Sequence, residues 1–273
     1  MKSCLYFYKQ LFCWLKTCNF VPNYFNKEIM NWIAIIALFL SVFISAIVVL
    51  KVKVQEKNLR LLLAFSGAYL LSVSFTHIIP SIFSGDGFAF LGYYVLLGFF
   101  IQLFLEFLSS GVAHGHDHHC DQDNGIKIEP MALLLGISLH AFFEGMPFAH
   151  ELHDHSHLQE SLLIGIVIHK IPIAIVLTSL FINAGYGLKK TLIYMIIFAF
   201  ASPLGSFISA FGAEFIPIDS ETYYKIIMAI VVGIFMHIST TILFESDKNH
   251  HFNLRKMMVI LLGVTLAIIS KLI

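Results

Sequence analysis

The residues Leu139-His140-Ala141-Phe142-Phe143-Glu144-Gly145-Met146-Pro147 place an imidazole and a carboxylate four positions apart inside an apolar run. On a helix that spacing puts both side chains on one face. A later apolar run carries His169-Lys170-Ile171-Pro172. Imidazole nitrogen and carboxylate oxygen are ligands for zinc and similar divalent metals, so His140, Glu144 and His169 could form one three-ligand site if their segments pack together. Pro147 and Pro172 follow the ligands closely, and proline frees backbone carbonyls where a helix lines a cavity. The plain alternative is a structural hydrogen-bonded polar cluster.

Composition says where such a pair must sit. Of 273 residues, 58% are hydrophobic and only 12% charged, against about 25% charged in soluble domains. The chain is therefore read as a membrane protein, in which ionisable groups are costly and mark an ion or substrate path. Formal net charge is zero, which gives no hint of a nucleic-acid partner. Cys4, Cys13, Cys18 and Cys120 form no CxxC pair, so neither a disulfide framework nor a thiolate metal site is indicated.

The positioning elements are about eight apolar segments, roughly 31–50, 59–80, 89–112, 129–149, 160–182, 189–214, 222–245 and 254–273. Each is near the ~20 residues that cross a bilayer as a helix, so the expected class is all-α, polytopic and multi-pass. Residues 1–29 differ. They hold Lys2, Lys9, Lys16, Lys27, Pro22 and three cysteines, which suits a basic amphipathic anchor or an extension that precedes a true start at Met30.

Basic residues set the expected orientation. Lys51, Lys53, Lys57, Arg60, Lys127, Lys189, Lys190, Lys248, Arg255 and Lys256 fall in alternate loops, and the opposite loops carry only Lys225. The positive-inside rule puts the rich side in the cytoplasm and both termini outside, in a cell membrane. His77 then lies near the outer end of its segment, the His140, Glu144 and His169 group near mid-depth, and Glu106, His237 and Glu245 toward the inner side.

Two loops concentrate histidine. His114, His116, His118 and His119 lie in a tract over 114–123, with Cys120, Asp121 and Asp123. His150, His153, His155 and His157 lie in the next loop. Such tracts can gather metal weakly and reversibly, or serve merely as solvated linkers. His150-Glu151-Leu152-His153 is not a metalloprotease motif, because its second histidine comes one residue early for His-Glu-x-x-His.

Taken together, these motifs resemble the ZIP family of divalent-metal transporters. His140, Glu144 and Gly145 match the fourth-helix H-x-x-x-E-G pattern, and His169-Lys170 the start of the fifth-helix motif. Phe65-Ser66-Gly67 leading to His77-Ile78-Ile79-Pro80 resembles the second helix, Ser202-Pro203-Leu204-Gly205 the sixth, and Gly233 through His237 to Glu245 the seventh. The resemblance covers about 31–273. It implies a bundle of three, two and three helices with inverted repeats, and import of a divalent ion by alternating access. Zinc is the first candidate, with iron, manganese and cadmium also suited to these ligands.

The resemblance also implies a path from His77, through His140, Glu144 and His169, past Glu106, His237 and Glu245. It involves no cofactor, no catalysis, a bilayer as environment and a homodimer as a candidate assembly. Many members carry acids where this chain has Lys170 and Ile173. Their absence implies one metal rather than two, with Lys170 substituting for the second site's charge beside Glu144. The rival reading is an intramembrane zinc-dependent hydrolase, which would need a catalytic water beside the metal.

Overall fold

The computed structural model describes residues 21–51, 55–85, 88–111, 130–149, 156–244 and 254–270. These form α1 (Val21–Lys51), α2 (Glu56–Val73), α3 (Leu91–Gly111), α4 (Pro130–Gly145), α5 (Ser156–Asn183), α6 (Leu188–Phe215), α7 (Ser220–Phe244) and α8 (Leu254–Ile269). Seven are long and apolar enough to cross a membrane. The eighth, α8, has 16 described residues. The expected segment boundaries agree, except that α1 begins at Val21, so residues 21–29 of the N-terminal extension are helical and residues 1–20 lie outside the described part.

Three of the described helix ends have a local cause. Beyond α2 the chain continues through a π turn, Ser74–Ile78, into a last α turn, Ile79–Ile82, that contains Pro80. Pro80 has no N–H and its ring would meet the carbonyl four residues back. The helix widens instead, and the Ile79 N–H reaches back five residues to the Ser74 carbonyl. Gly185, at φ 83°, turns the chain between α5 and α6 in the left-handed region. Asp219 caps α7, its Oδ1 accepting the Thr222 N–H at 2.8 Å. That bond stabilises the charged form and holds the Asp219 carboxyl below its ordinary range.

Packing sorts the helices into two groups. α4 and α5 each pack on α1 or α6, and α1 packs on α6. α3 packs on α7, and α2 on both α7 and α8. The groups meet where α2 faces α5 and α3 faces α4. Between apolar helices in lipid, association relies on close backbone approach rather than a hydrophobic drive. A Cβ at Gly98 would strike the Ile230 carbonyl, and one at Gly233 the Val95 carbonyl, so α3 and α7 touch backbone to backbone. Outward, α3 shows Leu96, Phe100, Phe104 and Phe107, and α6 shows Phe200, Phe207 and Phe211, the apolar surface a bilayer requires.

Candidate metal site

His140 and Glu144 lie on consecutive turns of α4, and His169 lies halfway along α5. All three are buried, and one ligand atom from each falls within 4.8 Å of the others. His140 Nε2 stands 3.0 Å from Glu144 Oε1, and the imidazole planes of His140 and His169 are nearly perpendicular, 6.1 Å apart. Ligands on a tetrahedral zinc at ~2.0–2.2 Å stand roughly 3.3–3.6 Å apart, so closure by up to about 1.5 Å would seat an ion. α4 and α5 come together at the site, and pack less extensively against each other than α4 does against α6 or α5 against α1.

The packing of α4 against α6 is specific. Cβ atoms at Gly145 and Gly205 would strike the Ser202 and Phe142 carbonyls respectively, so α4 and α6 are in backbone contact beside Glu144. The Ser202 hydroxyl donates to the Ala141 carbonyl at 2.7 Å. On α5, Pro172 sits inside the helix and leaves the Ile168 carbonyl without its usual partner.

Lys170 is also here. Its ammonium donates to Glu144 Oε2 at 2.6 Å, and both side chains are essentially inaccessible. The same ammonium lies 5.6 Å from the Phe198 ring centre, a cation–π distance. One carboxylate oxygen therefore faces a cation and the other faces His140. Nδ1 of His140 and Nε2 of His169 are buried with no hydrogen-bond partner. Orphaned buried polar atoms are uncommon and call for an explanation; a metal ion fits this donor set.

A cavity of about 230 Å³ leads away from the site. His140 and His169 stand at its head, with Gln102, Glu106 and Ser109 of α3, Leu63 of α2 and Thr241 of α7 along its walls. It runs toward the ends of α2, α3, α4 and α7 that adjoin the basic loops. On the opposite side the route is filled. Leu70, Ile78, Ile82, Phe148, Leu162, Ile166 and Met228 form one core cluster there, each 2% exposed or less. Among the described residues, the site opens into this cavity on one side and meets packed core on the other.

The remaining expected path residues divide. Glu106 lines the cavity, and its carboxylate is 3.6 Å from His237 Nδ1. His237 is buried edge-on to Phe99, 4.8 Å between ring centres. His77 sits in the π turn at the far end, bonded through Nδ1 to Thr76 at 2.7 Å, and its neighbour Ile78 belongs to the closing core. The structure therefore separates His77 from the ligands. Glu245 and His114, His116, His118, His119, His150, His153 and His155 lie outside the described residues, and His157 falls in the first turn of α5. Sequence reasoning overlooked Gln102, and quoted Ser66 without a role. Ser66 bonds His169 at 3.2 Å.

Among known proteins, no curated sequence matches the chain. A family model described as ZIP Zinc transporter matches residues 113–271, which is more than half of the chain and includes His140, Glu144, His169, Lys170 and His237. This sets aside the hydrolase reading. A metal bound here is cargo rather than cofactor, and the chain is a transporter that belongs to the ZIP zinc transporter family.

Proposed function

We propose that the protein imports zinc into the cytoplasm of the cell, with His140, Glu144 and His169 as the transport site. The observation that carries this is a buried triad of ligands at the head of a cavity with packed core on its far side, among the described residues. Nitrogen and carboxylate ligands also accept iron, manganese or cadmium, so these compete. The basic loops support an inward-facing cavity, both termini outside and a plasma-membrane location. Metal arrives near His77, is held by the triad, and leaves past Glu106, His237 and Glu245. The histidine-rich loops gather metal at the two mouths.

The packing supports inverted repeats. If α1 to α3 correspond to α6 to α8 and α4 to α5, the pair α1/α5 maps onto α6/α4 and α2/α8 onto α7/α3. All four pairs are among the closest contacts in the bundle. Alternating access then exchanges the closed and open sides around the site. Lys170, in this reading, supplies the positive charge of a second metal, so one ion binds at a time. A homodimer is the proposed assembly.

Zinc uptake by proteoliposomes across a pH range tests the reading. Binding needs neutral imidazoles and an ionised carboxylate, so protons compete with metal and uptake falls on acidification. His140→Ala and Glu144→Ala each abolish saturable uptake. Wild-type uptake by both variants would overturn the assignment of the site.

A further inference from the structure

We infer that Ser66 is a positioning residue that fixes which nitrogen of His169 is free to bind metal, an inference that rests on the transport-site reading above. Ser66 is fully buried on α2, in the helix group that does not carry the ligands. Its oxygen lies 3.0 Å from the Leu63 carbonyl, one turn back, and 3.2 Å from His169 Nδ1. A hydroxyl has one proton and two lone pairs. The Leu63 carbonyl can only accept, so the Ser66 proton goes to it. The Ser66 oxygen then accepts from Nδ1–H, and in a neutral imidazole the lone pair is left on Nε2. Nε2 of His169 is the buried atom with no partner.

The reverse arrangement, with the hydroxyl donating to Nδ1, would put a proton on Nε2 and remove a ligand from the site. His140 has no comparable partner outside the ligand set: its Nδ1 lacks a hydrogen bond and its Nε2 faces Glu144 Oε1 at 3.0 Å. Of the two imidazoles, His169 is thus the one set for metal in advance, and it is set across the boundary between the two helix groups. A partner bonded to the non-ligating nitrogen orients the ring, raises its basicity, and is worth about 10–100-fold in metal affinity where it has been removed.

The test is nitrogen-15 solid-state NMR of the metal-free protein in bilayers, with His169 assigned by its loss in His169→Ala, alongside calorimetric zinc binding. The wild type should show His169 as the Nδ1–H tautomer. Ser66→Ala should show a mixture and bind zinc about 10–100-fold more weakly, with its thermal unfolding confirming a folded protein. A wild-type Nε2–H tautomer overturns the inference without any Ser66 variant. So does a Ser66→Ala protein that keeps the wild-type tautomer or zinc affinity. Unchanged zinc binding by His169→Ala would instead overturn the transport site itself, which separates the two failures.

Discussion

Lys170 Nζ stands 2.6 Å from Glu144 Oε2 while Glu144 Oε1 stands 3.0 Å from His140 Nε2. The carboxylate is shared between a fixed cation and the place where a metal would sit. In a low-dielectric interior an unpaired carboxylate is costly, and Lys170 offsets that cost when the site is empty. On the one-metal reading proposed above, Lys170 stands in for the positive charge of a second ion.

Replacing the lysine exposes this role. Lys170→Met leaves Glu144 buried and uncompensated, and removal of one partner of a buried pair costs about 3–5 kcal/mol. The metal-free protein should melt lower than wild type. Zinc then supplies the missing charge, so it should raise the melting temperature of Lys170→Met more than that of the wild type. Thermal unfolding in detergent, with and without zinc, gives both numbers. Equal zinc-induced shifts in the two proteins would show that Lys170 does not substitute for cationic charge at Glu144.

One-sided access makes a separate prediction. Thr241 lines the cavity, whereas Leu70 and Ile166 are 1% and 0% exposed in the closing core. In a background lacking the four native cysteines, Thr241→Cys should react readily with a water-soluble thiol reagent in the zinc-free protein. Leu70→Cys and Ile166→Cys should be protected. Comparable labelling rates at all three positions would mean that the core cluster does not close the path.

How much of this the sequence discloses depends on what a residue costs. His140, Glu144, His169 and Lys170 are conspicuous because charge and imidazole are rare in apolar runs, and the same rarity placed Glu106 and His237. Ser66 carries no such signal. A serine satisfies itself inside a helix by bonding a carbonyl one turn back, as Ser66 does with Leu63, so its second bond to His169 is invisible until α2 and α5 are brought together. Gln102 is polar enough to notice but has no motif around it. Hydropathy gives the helices and not their partners. That α4 is braced by α6 rather than α5 follows from the backbone contacts of Gly145 with Ser202 and Gly205 with Phe142, pairs 57 and 63 positions apart in the chain. The core beside His77 is made by the packing of Ile78, Phe148 and Ile166, none of which differs in kind from any other apolar residue in the chain.

Gly145 shows how a site can depend on a residue that touches no ligand. A Cβ there would lie far inside contact distance of the Ser202 carbonyl, and that carbonyl is backbone, so it cannot swing aside as a side chain would. Gly145→Ala must push α4 away from α6. It would strain the bond from Ser202 to the Ala141 carbonyl and carry Glu144, the adjacent residue, away from His169. Overpacking of this kind costs about 1–3 kcal/mol or more, and here it should also weaken zinc binding. Gly92 on α3 is the control, since an added Cβ meets nothing within 4 Å, and alanine is the better helix former. Gly92→Ala should keep or slightly raise thermal stability with unchanged zinc affinity. If Gly145→Ala matched Gly92→Ala in both measurements, the backbone contact would not be what holds the fourth helix, and its two ligands, in place.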